Sequence, residues 1–125
     1  MLLRLGVAIR QLKQGFGPQI WSKTAVVVMT EFGRTARENG TQGTDHGTGG
    51  AMLFADGAVK GGQVHTSWPG LAEADLYQCR DLTPTEDVRA YTGTVMRELL
   101  GIDRTLLETS IFPGLDMGRV GRVLL

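Results

Sequence analysis

The spacing of apolar residues changes along the chain, and each change of period marks an element. Between residues 2 and 14, Leu2, Leu5, Ile9 and Leu12 recur at intervals of three and four, with Arg4, Arg10 and Lys13 between them. This is the pattern of an amphipathic helix, and Gly15, Gly17 and Pro18 are placed to stop it. A short segment, Gln19 to Lys23, leads into Ala25-Val26-Val27-Val28-Met29. That run is continuously apolar and β-branched, which suits a parallel strand covered on both faces better than an alternating, half-exposed one. It breaks off in Glu31-Phe32-Gly33-Arg34, and a charged, glycine-rich loop then delivers Asp45-His46 between Thr44 and Gly47. Polar groups just past the carboxyl end of a buried strand lie where open α/β sheets hold their ligands. The stretch from Thr24 to Gly50 is therefore the one around which the rest of the chain is organised.

Farther on, Ala51 to Ala55 reads as a second short buried strand, with turns at Asp56-Gly57 and Gly61-Gly62. Gln63 to Ser67 reads as a brief extended piece, Trp68-Pro69-Gly70 as a turn and Asp75 to Arg80 as a further extended segment. Thr83-Pro84-Thr85-Glu86 supplies a capping threonine, a proline at the first helical position and a glutamate three residues past the cap. Val88, Tyr91, Val95 and Leu99 then form one apolar stripe, and Gly101 stands where a carboxyl-terminal cap is expected. Asp103 is placed to cap a short helix from Arg104 to Glu108. Residues 111–125 have no clear period and read as an irregular tail that either lies over the domain or is partly disordered. Helix, loop and buried strand make half of a βαβ unit. The expected architecture is one partial α/β domain over residues 1–125, with few strands and flanking helices, cut into a larger fold.

Composition narrows the partners. The 125 residues are 42% apolar and 21% charged, ordinary values for a globular domain. Thirteen acidic residues balance thirteen basic ones, so overall charge argues for neither a nucleic acid nor an anionic membrane partner. No apolar run approaches the ~18 residues of a membrane span, and the first residues lack the apolar core and cleavage site of a signal peptide. Glycine is the outlier: eighteen residues, about twice the usual share, with nine of them between Gly33 and Gly62. Met52, Leu53, Phe54, Val59, Val64 and Trp68 are interspersed there, which a flexible linker does not require. The single Cys79 forms no internal disulfide.

Candidate chemistry gathers on the polar loop. Asp45 and His46 are neighbours that can point to different sides, each a ligand of a divalent ion or one orienting the other. The plainer reading is a turn aspartate beside a histidine bonded to backbone. Glu31 leaves the sheet at the crevice, or pairs with Arg34 or Arg37. Either arginine can take a phosphate or sulfate oxygen pair bidentately; as plain surface groups they are solvated or paired. His65 reads more readily as a half-buried strand histidine than as a ligand, Asp81 and Glu86 as turn and cap, and Cys79 as packed rather than nucleophilic. No phosphate-binding loop, dinucleotide fingerprint, Cys-x-x-Cys or nucleophile elbow is present.

The run VVVMTEFGRTARENGTQGTDHGTGGAMLFADGAVKGGQV, followed by WPGL and RDLTPTEDVRAY, resembles the carboxyl-terminal part of the bacterial family called domain of unknown function 1501. That family is placed with the alkaline phosphatase and sulfatase-like superfamily. The resemblance implies a doubly wound α/β sandwich with a divalent-metal site (zinc, manganese or calcium) at the strand ends, acting on phosphate or sulfate esters. It makes Asp45 and His46 candidate metal ligands, Glu31 a third ligand or its neighbour, and Arg34 the holder of the anionic oxygen. Relatives often carry an aspartate-histidine pair where this chain has Glu31-Phe32, so the ligand set is incomplete or altered. The nucleophile and remaining ligands belong to an amino-terminal half outside this sequence. Full-length members are expected to be exported, whereas this chain as a whole product would be cytoplasmic. The expectation is thus the carboxyl-terminal portion of a metal-dependent ester hydrolase, inactive alone. The alternative is a non-catalytic ligand- or partner-binding module, including one that self-associates through an open sheet edge.

Overall fold

The structure is a computed structural model that describes residues 2–55, 57–118 and 120. It is a mixed α/β chain: α1 (Leu2–Trp21, broken by a kink at Gly17, φ 67°), β1 (Val26–Val28), β2 (Gly33–Arg34), β3 (His46–Gly47), β4 (Leu53–Ala55), a 3-10 turn (Glu73–Asp75), α2 (Val88–Leu100) and α3 (Arg104–Leu106), which continues as a π-turn over Leu107–Ile111. β1 pairs with β4, and β2 pairs with β3. Among the described residues, no helix is long and apolar enough to cross a membrane. The chain divides into two compact units, one of Met1–Val27, Phe54–Gln63 and Arg89–Leu125, the other of Val28–Leu53 and Val64–Val88.

In the first unit α2 is the spine, because it is packed on two sides. Val95, flanked at spacings of four by Tyr91 and Leu99, is packed by Ala25, Val27, Phe54 and Val59. The Phe54 and Tyr91 rings lie 6.4 Å apart between centroids. Ala90, on another side of the same helix, joins Leu107, Leu115 and Met117 in a second cluster, with Leu107 wholly enclosed. Thr94, also enclosed, donates its hydroxyl to the Ala90 carbonyl at 2.9 Å, so its polar atom is satisfied within the helix. Gly101 ends α2 in the left-handed region at φ 68°, with its amide bonded to the Arg97 carbonyl, as the sequence pattern requires.

The capping residues divide into one agreement and one correction. The Asp103 carboxylate accepts from the amides of Thr105 and Leu106, at 2.8 and 3.3 Å, and starts α3 as expected. By contrast, Thr83 does not cap α2, which begins at Val88. The Thr83 hydroxyl donates instead to the Asp75 carbonyl at 2.7 Å, and Glu86 accepts from Ser67 at 3.4 Å. A tertiary partner for the threonine thus outweighs the local capping pattern.

Other elements are shorter than their patterns suggest. β1 and β4 are three residues each, and all of β1 is half-buried rather than enclosed. Residues 63–67 join no ladder. The extended segment expected over Asp75 to Arg80 is instead the end of the 3-10 turn followed by a tight reversal. Gln78 and Cys79 both take left-handed φ, 52° and 55°, while Tyr77 and Asp81 bridge. The tail is irregular from 112 to 118 but carries the core residues Leu115 and Met117. The Met117 amide donates to the Glu108 carboxylate at 2.9 Å, which fixes it there. The remainder of the expected tail, residues 119 and 121–125, and the Asp56 half of one expected turn lie outside the described residues.

Candidate functional site

The polar loop singled out by its sequence lies in the second unit, where β2 and β3 form an antiparallel pair with Gly33 opposite Gly47 and Arg34 opposite His46. The segment after Cys79 runs along the other side of β2. The Ala36 amide bonds the Arg80 carbonyl at 2.9 Å, and the Leu82 amide bonds the Arg34 carbonyl at 3.1 Å. Gly49 closes this arrangement, its amide on the Leu82 carbonyl at 2.9 Å and its carbonyl on the Arg34 amide at 2.9 Å. The backbones come so close that the glycines are required by contact. A Cβ on Gly47 would stand 2.6 Å from the Arg34 carbonyl, and one on Gly49 would stand 2.5 Å from the Leu82 oxygen.

Alternation along the strand separates the two residues of the Asp45-His46 pair. His46 shares a face with Arg34, its directly opposed partner. On that face the imidazole stacks on Phe32, with centroids 4.3 Å apart and planes 13° from parallel, a contact worth about 0.5–1.5 kcal/mol. Arg34 and His46 are both exposed, and the Arg34 guanidinium has no ion pair among the described residues. Glu31 is exposed at the bend just before Phe32. Of the salt bridges considered for it, the one with Arg37 is displaced, because Arg37 pairs with Glu73 at 2.9 Å.

Asp45 faces the other way and is already engaged. Its carboxylate accepts from Asn39 Nδ2 at 2.8 Å, and its amide donates to the Thr35 hydroxyl at 3.1 Å. Asn39 organises the loop: its Oδ1 takes the Thr41 amide, the Thr41 hydroxyl and the Gly43 amide, at 3.0, 2.8 and 3.0 Å. Beneath lies Asp81, one of the few buried polar side chains, which accepts from Arg80 Nε at 2.7 Å. That bond, then the charge of Asp81 and to a smaller degree that of Asp45, raises the Arg80 guanidinium above its ordinary value and keeps it protonated.

Asn39, Thr35 and Asp81 were not candidates in the sequence reading. Asn39 sits in Glu38-Asn39-Gly40, a turn signal that could have marked it. Asp81 carried no signal, since its burial depends on the reversal at Gln78 and Cys79. His65 lies in an exposed, irregular run, and Cys79 is exposed at the reversal rather than packed.

Asp45 and His46 project from opposite faces, and among the described residues no three His, Cys, Asp or Glu side chains converge as ligands. What does converge is a cation, an imidazole and an aromatic ring on one exposed face of the hairpin. Fold and site together define a mixed α/β protein with a glycine-packed polar edge. Its family is given by comparison: the model of the family described as Protein of unknown function (DUF1501) matches residues 3–108, and the chain belongs to that family. No curated protein and no solved structure matches it.

Proposed function

We propose that the face formed by Phe32, Arg34 and His46 binds the oxyanion of a phosphate or sulfate ester, and that the chain is the carboxyl-terminal portion of a larger sulfatase-like hydrolase of the doubly wound type. One observation carries the reading: Arg34 and His46 are opposed across β2 and β3 on the same exposed face, with the imidazole held by Phe32. A guanidinium offers two parallel N–H donors to a pair of anionic oxygens. An imidazole beside it adds a third donor or takes the proton of the group being bound. Phe32 fixes the ring so that little side-chain entropy remains to be lost on binding.

Asp45 is assigned to the support of the loop, since its carboxylate is held by Asn39. A divalent ion enters this reading only through His46 or Asp45 singly, with other ligands from outside the described residues. No catalytic step is assigned to such an ion.

The test is titration of the chain with inorganic sulfate and phosphate, followed by chemical shift at His46, alongside elemental analysis for bound metal. Each charge-assisted hydrogen bond contributes about 1.5–3 kcal/mol, so Arg34→Ala is expected to weaken the anion by at least about tenfold, whereas Asp45→Asn leaves it in place. Anion binding indifferent to Arg34 and His46 would remove the proposal. A second reading has its own support in the engagement of Asp45 by Asn39: the same face serves a non-catalytic module. Anion binding without ester turnover, even with excess metal ion, identifies that case.

A further inference from the structure

We infer that Asn39 is a site of spontaneous deamidation, and that this one covalent change loosens the loop leading to His46. The inference lies within the second unit and is independent of the function proposed for the exposed face.

Asn39 is the chain's one asparagine, and glycine follows it. Deamidation requires the backbone nitrogen of the next residue to attack the side-chain carbon Cγ, and glycine presents that nitrogen with no side chain in the way. The Gly40 amide donates to no acceptor among the described residues. Gly40 is exposed, and a Cβ built on it meets nothing within 4 Å, so solvent reaches its N–H. The group under attack is polarised at the same time. Asn39 Oδ1 accepts from the Thr41 amide, the Thr41 hydroxyl and the Gly43 amide, at 3.0, 2.8 and 3.0 Å. Donors converging on an oxygen that becomes negatively charged stabilise the tetrahedral intermediate of acyl transfer. The bonds on Asn39 therefore hold its carbonyl oxygen and leave the attacking nitrogen free.

Hydroxide takes the Gly40 amide proton, and the nitrogen's electron pair forms a bond to Cγ while Oδ1 takes the negative charge. The Cγ–Nδ2 bond then breaks, and Nδ2 leaves as ammonia with a proton from water, which restores the hydroxide. Water opens the resulting cyclic imide at either carbonyl. The product is an aspartyl residue, or an isoaspartyl residue in which the chain runs through the former side chain. The group that is lost is one the loop depends on, because Asn39 Nδ2 donates to the Asp45 carboxylate at 2.8 Å. Afterwards two carboxylates face each other where a donor faced an acceptor, and like charges so close repel. In the isoaspartyl form the backbone is also longer by a carbon atom, which strains the turn closed by the Asn39 amide on the Gly43 carbonyl at 2.8 Å.

The experiment is incubation of the full chain in neutral buffer until the same chain unfolded in guanidinium chloride is half converted. Peptide mass spectrometry reads the exchange of NH₂ for OH at Asn39, and hydrogen exchange reads the Thr35 amide, which bonds the Asp45 carbonyl at 3.1 Å. The folded chain is expected to convert at Asn39 to a mixture of both products, with the Thr35 amide exchanging roughly 5- to 30-fold faster in the converted fraction. Gly40→Ala, whose methyl meets no other atom but crowds the attacking nitrogen, keeps its amide over the same period. Asn39→Asp supplies the charge without the chemistry and speeds Thr35 exchange from the outset. Retention of the Asn39 amide in the folded chain would overturn the inference. So would equal conversion of Gly40→Ala, or a Thr35 amide that exchanges alike before and after conversion.

Discussion

Replacing Gly47 by alanine tests whether the glycines of the hairpin are there for contact. The added methyl would stand 2.6 Å from both the carbonyl carbon and the oxygen of Arg34, and 3.0 Å from Asp81 Cγ. Carbon atoms in ordinary contact stay about 3.5–4.0 Å apart, so the neighbours must retreat by roughly 1 Å. Two of the three atoms are backbone, and the Arg34 oxygen is held by the Leu82 amide at 3.1 Å, so no rotamer change relieves the clash. Overpacking of this kind costs about 1–3 kcal/mol. Hydrogen exchange is the direct assay, because the Thr35 amide bonds the Asp45 carbonyl across this hairpin at 3.1 Å. A loss of about 2 kcal/mol in local opening speeds that amide roughly 30-fold. Gly6→Ala is the control: its Cβ meets nothing within 4 Å, and in a helix interior alanine is better than glycine by about 0.5–1 kcal/mol. If Thr35 in Gly47→Ala exchanges at the wild-type rate, the contact argument is wrong, and the glycine-rich sequence needs another cause.

Further outcomes follow from the first unit. Leu107→Ala empties a fully enclosed position and is expected to cost about 2–5 kcal/mol in urea denaturation; a loss under 1 kcal/mol would mean that the Ala90, Leu115 and Met117 cluster is not a packed core. Asp103→Ala leaves the Thr105 and Leu106 amides without their carboxylate and should cost about 1 kcal/mol, with Asp103→Asn retaining most of it. Arg37→Ala removes an ion pair whose side chains are 73% and 65% exposed, so stability should change by less than about 1 kcal/mol.

How much of this was legible beforehand depends on how local each cause is. The caps at Gly101 and Asp103 were readable because the residue and its backbone partners lie within one helical turn. The stripe Tyr91, Val95 and Leu99 was readable for the same reason. Thr83 misled because a nonlocal acceptor, the Asp75 carbonyl, took its hydroxyl. The reversal at Gln78 and Cys79 was hidden, since two non-glycine residues in left-handed φ announce themselves by no composition. The importance of Thr24 to Gly50 was visible as a glycine-dense break after an apolar run. Which way each side chain faces was not, because that depends on the register Arg34 opposite His46. The first helix showed its amphipathic period plainly, but period alone does not say towards what the apolar side is turned.

The opposite orientation of two adjacent residues has a consequence for how this protein can vary. Substitutions at Phe32, Arg34 and His46 alter the groups presented on the exposed face while leaving the loop's internal bonds intact. Substitutions at Thr35, Asn39, Asp45 and Asp81 alter the framework while leaving the presented groups chemically the same. One hairpin therefore carries two nearly independent sets of positions, separated by the thickness of a strand. The first set can vary without disturbing the second.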